Sequence, residues 1–126
     1  MVHAQRLPNS EEAGHLASLI VSGDAAVTGP VIMEYLRGAR SDDEFNFLSE
    51  RITSLDFLEL DPPTWVWAGR LSGRYMRAGV TISDLDIVIA ATAIRYGVPL
   101  YTFDGVFVRI PELDLYEPPF QEADKQ

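Results

Sequence analysis

Residues 81–104 read TISDLDIVIAATAIRYGVPLYTFD, an apolar run framed by acids. Ser83 stands three residues before Asp86, the spacing at which a serine accepts a hydrogen bond from the first turn of a helix. The apolar residues then continue to Gly97, a type that ends helices in the left-handed conformation. This spacing predicts a helix from Asp84 to Tyr96, followed by a strand, VPLYTF, that closes on Asp104. Asp86 falls on the same helical face as Ile89, Ala90 and Ala93, the face that must pack on a sheet. A carboxylate beside such a core is costly unless a cap, an ion pair or a metal ion compensates it.

The rest of the chain repeats the alternation. NSEEAGHLASLIVSG has Asn9 and Glu12 at capping-box spacing, an apolar face of Leu16, Leu19 and Ile20, and a stop at Gly23. DAAVTG reads as a short strand, with Thr28 as the N-cap of the helix PVIMEYLRG. Ser41 and Glu44 form a second capping box that opens DDEFNFLSERITSL. DFLELD is the next strand, and Asp61 with Pro62 and Pro63 starts PTWVWAGRLSGRYMRAG, where Gly69 and Gly73 weaken the expectation of an unbroken helix. A last short strand is expected near LDLY. Strands joined by single helices imply right-handed crossovers, hence an α/β three-layer sandwich with a mainly parallel sheet. Ligands in such sheets bind beyond the carboxyl ends of the strands. That edge holds Thr28, Asp86 and Asp104.

One domain is expected over residues 1–126, because the length and the 47% hydrophobic fraction suit a single core. There is no cysteine, which excludes disulfides and thiolate metal sites and suits a reducing cytoplasm. The start, MVHAQRLPNSEEAG, has no secretory pattern, and no apolar run is long enough to span a membrane. The net charge of −9 opposes indiscriminate binding to nucleic acid. Nine of the ten basic residues are arginines, Lys125 being the exception.

Each acid has an ordinary reading. Asp86 can serve the helix N-terminus, Asp84 can do so from solvent, and Glu34 can pair with Arg37 or Arg40 on a solvated face. Asp104 before Gly105 can be a turn. Together, Glu34, Asp86 and Asp104 suggest carboxylates converging on the sheet edge, where mutual repulsion calls for a cation. Oxygen donors without Cys or a nearby His select a hard ion, Mg²⁺ or Mn²⁺, the usual ion of phosphodiester hydrolysis. Arg70, Arg74 and Arg77 recur at helical spacing as a basic stripe, either a solvated face or a contact for RNA phosphates. Trp65 and Trp67 are two apart and cannot share a face, so one of them is expected to be exposed.

AVTGPVIMEYLRGA, GVTISDLDIVIAATAIRYGVPLYTFDGVF and IPELDLY resemble a PIN domain of the VapC toxin type over about Pro8 to Glu117. The resemblance implies a Mg²⁺-dependent endoribonuclease with an antitoxin partner and a homodimeric state. By motif it assigns catalytic and metal-binding roles to Glu34, Asp86 and Asp104. Thr102 and Asp84 become supporting residues, and Arg37, Arg70, Arg74 and Arg77 RNA contacts. The family normally opens with an apolar strand ending in Asp-Thr-Ser. No such strand is expected before the first helix here, so the domain reads as N-terminally shortened. A non-catalytic relative that dimerises and binds an antitoxin is the alternative. A phosphotransfer domain fits poorly, because DLD lacks a following threonine and no lysine stands after a late strand.

Overall fold

The computed structural model describes residues 1–3 and 10–119. Its elements are β1 (Val2–His3), α1 (Ser10–Ser22), β2 (Ala26–Val27), α2 (Gly29–Leu36), α3 (Asp42–Thr53), β3 (Asp56–Phe57), α4 (Pro62–Arg77), α5 (Asp84–Tyr96) and β4 (Tyr101–Thr102), then a 3₁₀ helix, Gly105–Arg109. β1 pairs with β4 and β2 with β3, both in parallel, and β1 adjoins β2. The expected α/β plan with a parallel sheet is present, but the strands are only two residues long and the fold is mostly helical.

One expectation about strands needs correction. Before α1 stands the two-residue β1, with Val2 in register with Tyr101 and His3 with Thr102. It carries no aspartate. LDLY forms no named strand but a single parallel bridge, Leu100 to Leu115, framed by Leu100 N–H donating to Asp114 O (2.8 Å) and Tyr116 N–H to Leu100 O (2.8 Å). The expected cap pair of Asn9 and Glu12 lies outside the residues whose side chains are described.

α5 is the central helix. Every residue from Asp86 to Ala93 is buried, as its apolar sequence requires. The Ser83 hydroxyl accepts from Asp86 N–H at its start. Gly97, at φ 65°, ends it with Gly97 N–H bonding Ile94 O and Val98 N–H bonding Ala93 O. α4 packs along α5 in the most extensive contact between described elements. Its buried residues, Thr64, Ala68 and Leu71, lie three or four apart, while Gly69 is on the exposed side. That placement explains why the helix runs unbroken through both glycines: its inner face is held by packing, and local propensity does not decide. Leu71, Ile89, Leu100 and Phe107 are fully buried. Removal of each such side chain from water stabilises the fold by about 1.5–3 kcal/mol.

Candidate functional site

Two carboxylates are buried among the described residues, Glu34 (6% exposed) and Asp86 (9%). Glu34 lies three residues after Val31 in α2, and both turn inward. Arg37 and Arg40, its candidate partners on a solvated face, are exposed. The solvated reading of Glu34 therefore gives way to an inward one. Asp86 enters the interior from the first turn of α5, its N–H donating to Ser83 Oγ at 3.2 Å. Asp84, two positions earlier, stays in solvent. Since α2 and α5 touch, the two buried acids come from adjoining helices.

Asp104 is placed differently. It is partly exposed, and its Oδ1 accepts from Val106 N–H at 3.0 Å, capping the 3₁₀ helix. Thr102 Oγ1 accepts from Asp104 N–H at 3.1 Å, so its hydroxyl fixes the backbone that carries the acid. The turn reading of Asp-Gly is thus realised at one carboxylate oxygen.

Thr28 adds a feature that its sequence position only half announced. It stands at the carboxyl end of β2 with the extended backbone of an N-cap, yet its side chain makes no cap bond. It is fully buried, and its Oγ1 has no hydrogen-bond partner among the described residues. Buried hydroxyls without partners are uncommon and call for an explanation.

Among the described residues no group of three or more His, Cys, Asp or Glu side chains is gathered closely enough to hold a metal ion. The expected convergence of Glu34, Asp86 and Asp104 is not present as a formed three-carboxylate cluster. Mg²⁺ commonly takes one or two carboxylates and completes its shell with water and substrate phosphate. The two buried carboxylates on touching helices do not form a closed protein cage, and an ion held there would need water and substrate to complete its shell.

The arginine stripe divides. Arg74 pairs with Glu112 at 2.9 Å, and Tyr75 donates its hydroxyl to the same carboxylate at 3.2 Å. Burial, followed by the charge on Glu112, raises the Tyr75 phenol above its ordinary value. Arg70 and Arg77 are exposed. Trp65 is 54% exposed, whereas Trp67 packs against the core, as their spacing requires.

A family profile described as the PIN domain matches residues 5–113. No curated protein matches the sequence. Among solved structures, a chain of the VapBC2 complex from Rickettsia felis bound to a promoter DNA fragment superposes with a TM-score of 0.73 at 19% identity, covering 92% of this chain and 98% of that one. A chain of DNA-bound VapBC from Salmonella typhimurium gives 0.74 at 18% identity with the same coverages of 92% and 98%. These likenesses are of fold, and the family match spans most of the chain. The chain belongs to the PIN domain family.

Proposed function

We propose that this PIN domain is a Mg²⁺- or Mn²⁺-dependent endoribonuclease that acts as the toxin of a toxin–antitoxin pair in the cytoplasm. The observation that carries the reading is the pair of buried carboxylates, Glu34 and Asp86, on adjoining helices. Two buried acids on adjoining helices can share a hard cation, which gives the pair a chemical use. Glu34 and Asp86 would supply the direct oxygen donors. Asp104, with one oxygen engaged by Val106 N–H, keeps its other oxygen for the ion's outer shell or the substrate. A bound Mg²⁺ supplies stabilisation of charge on the phosphodiester oxygens and acidifies water. Arg37 and Arg70 with Arg77 are exposed cations for the RNA backbone, whereas Arg74 is engaged by Glu112.

The antitoxin partner is supported by the large apolar side chains left in solvent. Met33, Phe45, Phe47, Phe57, Trp65 and Val66 are each at least 44% exposed, and a partner protein that covered them would remove that apolar surface from water. A basic side chain of the antitoxin reaching the carboxylates would compete with the ion. A homodimer is part of the same proposal and would cover some of this surface.

The second reading, a non-catalytic PIN relative that binds an antitoxin, is favoured by one observation: no three-group acid cluster is formed among the described residues. Incubation of a structured RNA with purified protein separates the two. Cleavage in Mg²⁺ or Mn²⁺ that disappears with EDTA and with Asp86→Asn supports the nuclease. Absence of cleavage, with antitoxin binding intact, supports the second reading.

A further inference from the structure

Four aromatic rings gather at the carboxyl end of β4, and the nuclease reading gives them no role. Tyr101 is buried, and its ring centroid lies 4.9 Å from Tyr116, 5.2 Å from Phe103 and 6.1 Å from His15. His15 of α1 lies nearly parallel to Tyr116, at 10° and 5.6 Å, with its Nε2 2.5 Å from the Tyr116 hydroxyl. His15, Phe103 and Tyr116 are all partly exposed. Tyr101 and Phe103, two residues apart, bring their rings together where the chain bends after β4.

We infer that His15, Phe103 and Tyr116, set on Tyr101, form a stacking platform for an unpaired base of single-stranded RNA at the edge that carries Asp104. The platform rests on the ribonuclease reading and adds how the substrate is gripped. A chain of net charge −9 draws little affinity from phosphates, and one of its stripe arginines is already paired with Glu112. Base stacking on aromatic faces needs no net charge, and single-stranded binders use it without reading sequence. The geometry suits that use: Tyr101 is buried in contact with the other three rings, and His15, Phe103 and Tyr116 are each partly exposed residues. An RNA strand crossing this edge would lay a base on the rings and bring its backbone over towards Asp104.

The alternative role is structural, a clamp joining α1 to the segment after Leu113. The test therefore uses substitutions that separate ring from clamp. A short unstructured RNA carrying 2-aminopurine is titrated with the full chain in EDTA, where the probe is not hydrolysed, and cleavage is measured separately in Mg²⁺. The parent quenches the probe on binding. Phe103→Leu and Tyr116→Leu, which keep apolar volume, weaken binding about ten-fold and lose the quench, with Tm within a few degrees of the parent. Tyr116→Phe keeps the ring, loses the His15 bond and binds RNA like the parent. If the parent binds and cleaves RNA but both leucine variants bind and quench as it does, the platform is overturned and the nuclease reading stands. If Tyr116→Phe loses as much as Tyr116→Leu, and both only in step with lost folding, the rings are a clamp and the platform is again overturned. A parent that neither binds nor cleaves RNA overturns both.

Discussion

Asp86 and Thr28 are buried polar residues whose replacement tests the site. At Asp86 the cap bond to Ser83 uses the backbone N–H and leaves the carboxylate to face the interior. Asp86→Asn keeps shape and the cap and removes the charge. The Tm of each form without divalent ions sets its own baseline. Thermal melts in rising Mg²⁺ check the functional half. The parent gains stability by RT ln(1 + [L]/Kd), about 2.7 kcal/mol at a hundred times Kd, and the variant gains none beyond a salt effect. A parent curve flat in Mg²⁺ counts against the metal reading. Thr28→Val tests the hydroxyl that has no partner among the described residues. The two side chains are nearly isosteric, so the substitution raises stability by about 1 kcal/mol in urea unfolding if nothing binds there. A loss of stability shows that the hydroxyl is satisfied in the folded protein and belongs to a polar site.

Among the elements, the pairing of α4 with α5 holds the site in place, and glycines at two positions in this pair make opposite predictions. Gly69 is inside α4 and exposed, and a methyl group added there would meet nothing within 4 Å. Gly69→Ala therefore stabilises by about 0.5–1 kcal/mol, the helix-propensity difference. Gly97 also has open space around it, but its φ of 65° is left-handed. Gly97→Ala costs about 1–2 kcal/mol, because the added Cβ is strained in that conformation. Denaturant midpoints with unchanged slopes check both. The start of α4 adds a pH dependence. Asp61 accepts from Thr64 Oγ1 (2.6 Å) and Thr64 N–H (3.0 Å), and these bonds hold its carboxyl below the ordinary value. The unfolded chain thus binds the proton more tightly. The stabilisation is complete above about pH 3.9 and is lost as the pH falls through the lower folded value. The gap in unfolding midpoint between parent and Asp61→Ala, clear at neutral pH, should narrow only below that point. A gap that closes near pH 6 would place the dependence on another group.

For the whole molecule, the sequence made helices, caps and the inward face of α5 readable, because apolar spacing and the Ser83, Ser41 and Asp61 caps are local signals. Strand lengths were not readable. A two-residue ladder such as Val2–His3 against Tyr101–Thr102 is fixed by a partner about a hundred residues away, and VH alone carries no period. Of the site, the inward position of Asp86 followed from its helical face. The burial of Glu34 did not, since a lone acid beside Arg37 reads equally well as solvated. The aromatic cluster was also hidden, because His15, Tyr101 and Tyr116 are brought together only by the fold. The net charge of −9 on this small body leads to a last prediction. Like charges repel most in the compact state, so raising NaCl from 10 to about 300 mM should increase Tm by screening. Mg²⁺ compared at matched ionic strength then divides general screening from binding. An increment beyond NaCl that Asp86→Asn and Glu34→Gln each abolish places the ion at the two buried carboxylates. An equal increment in parent and variants places it on the exposed acids, and the buried pair must then be explained by a partner protein.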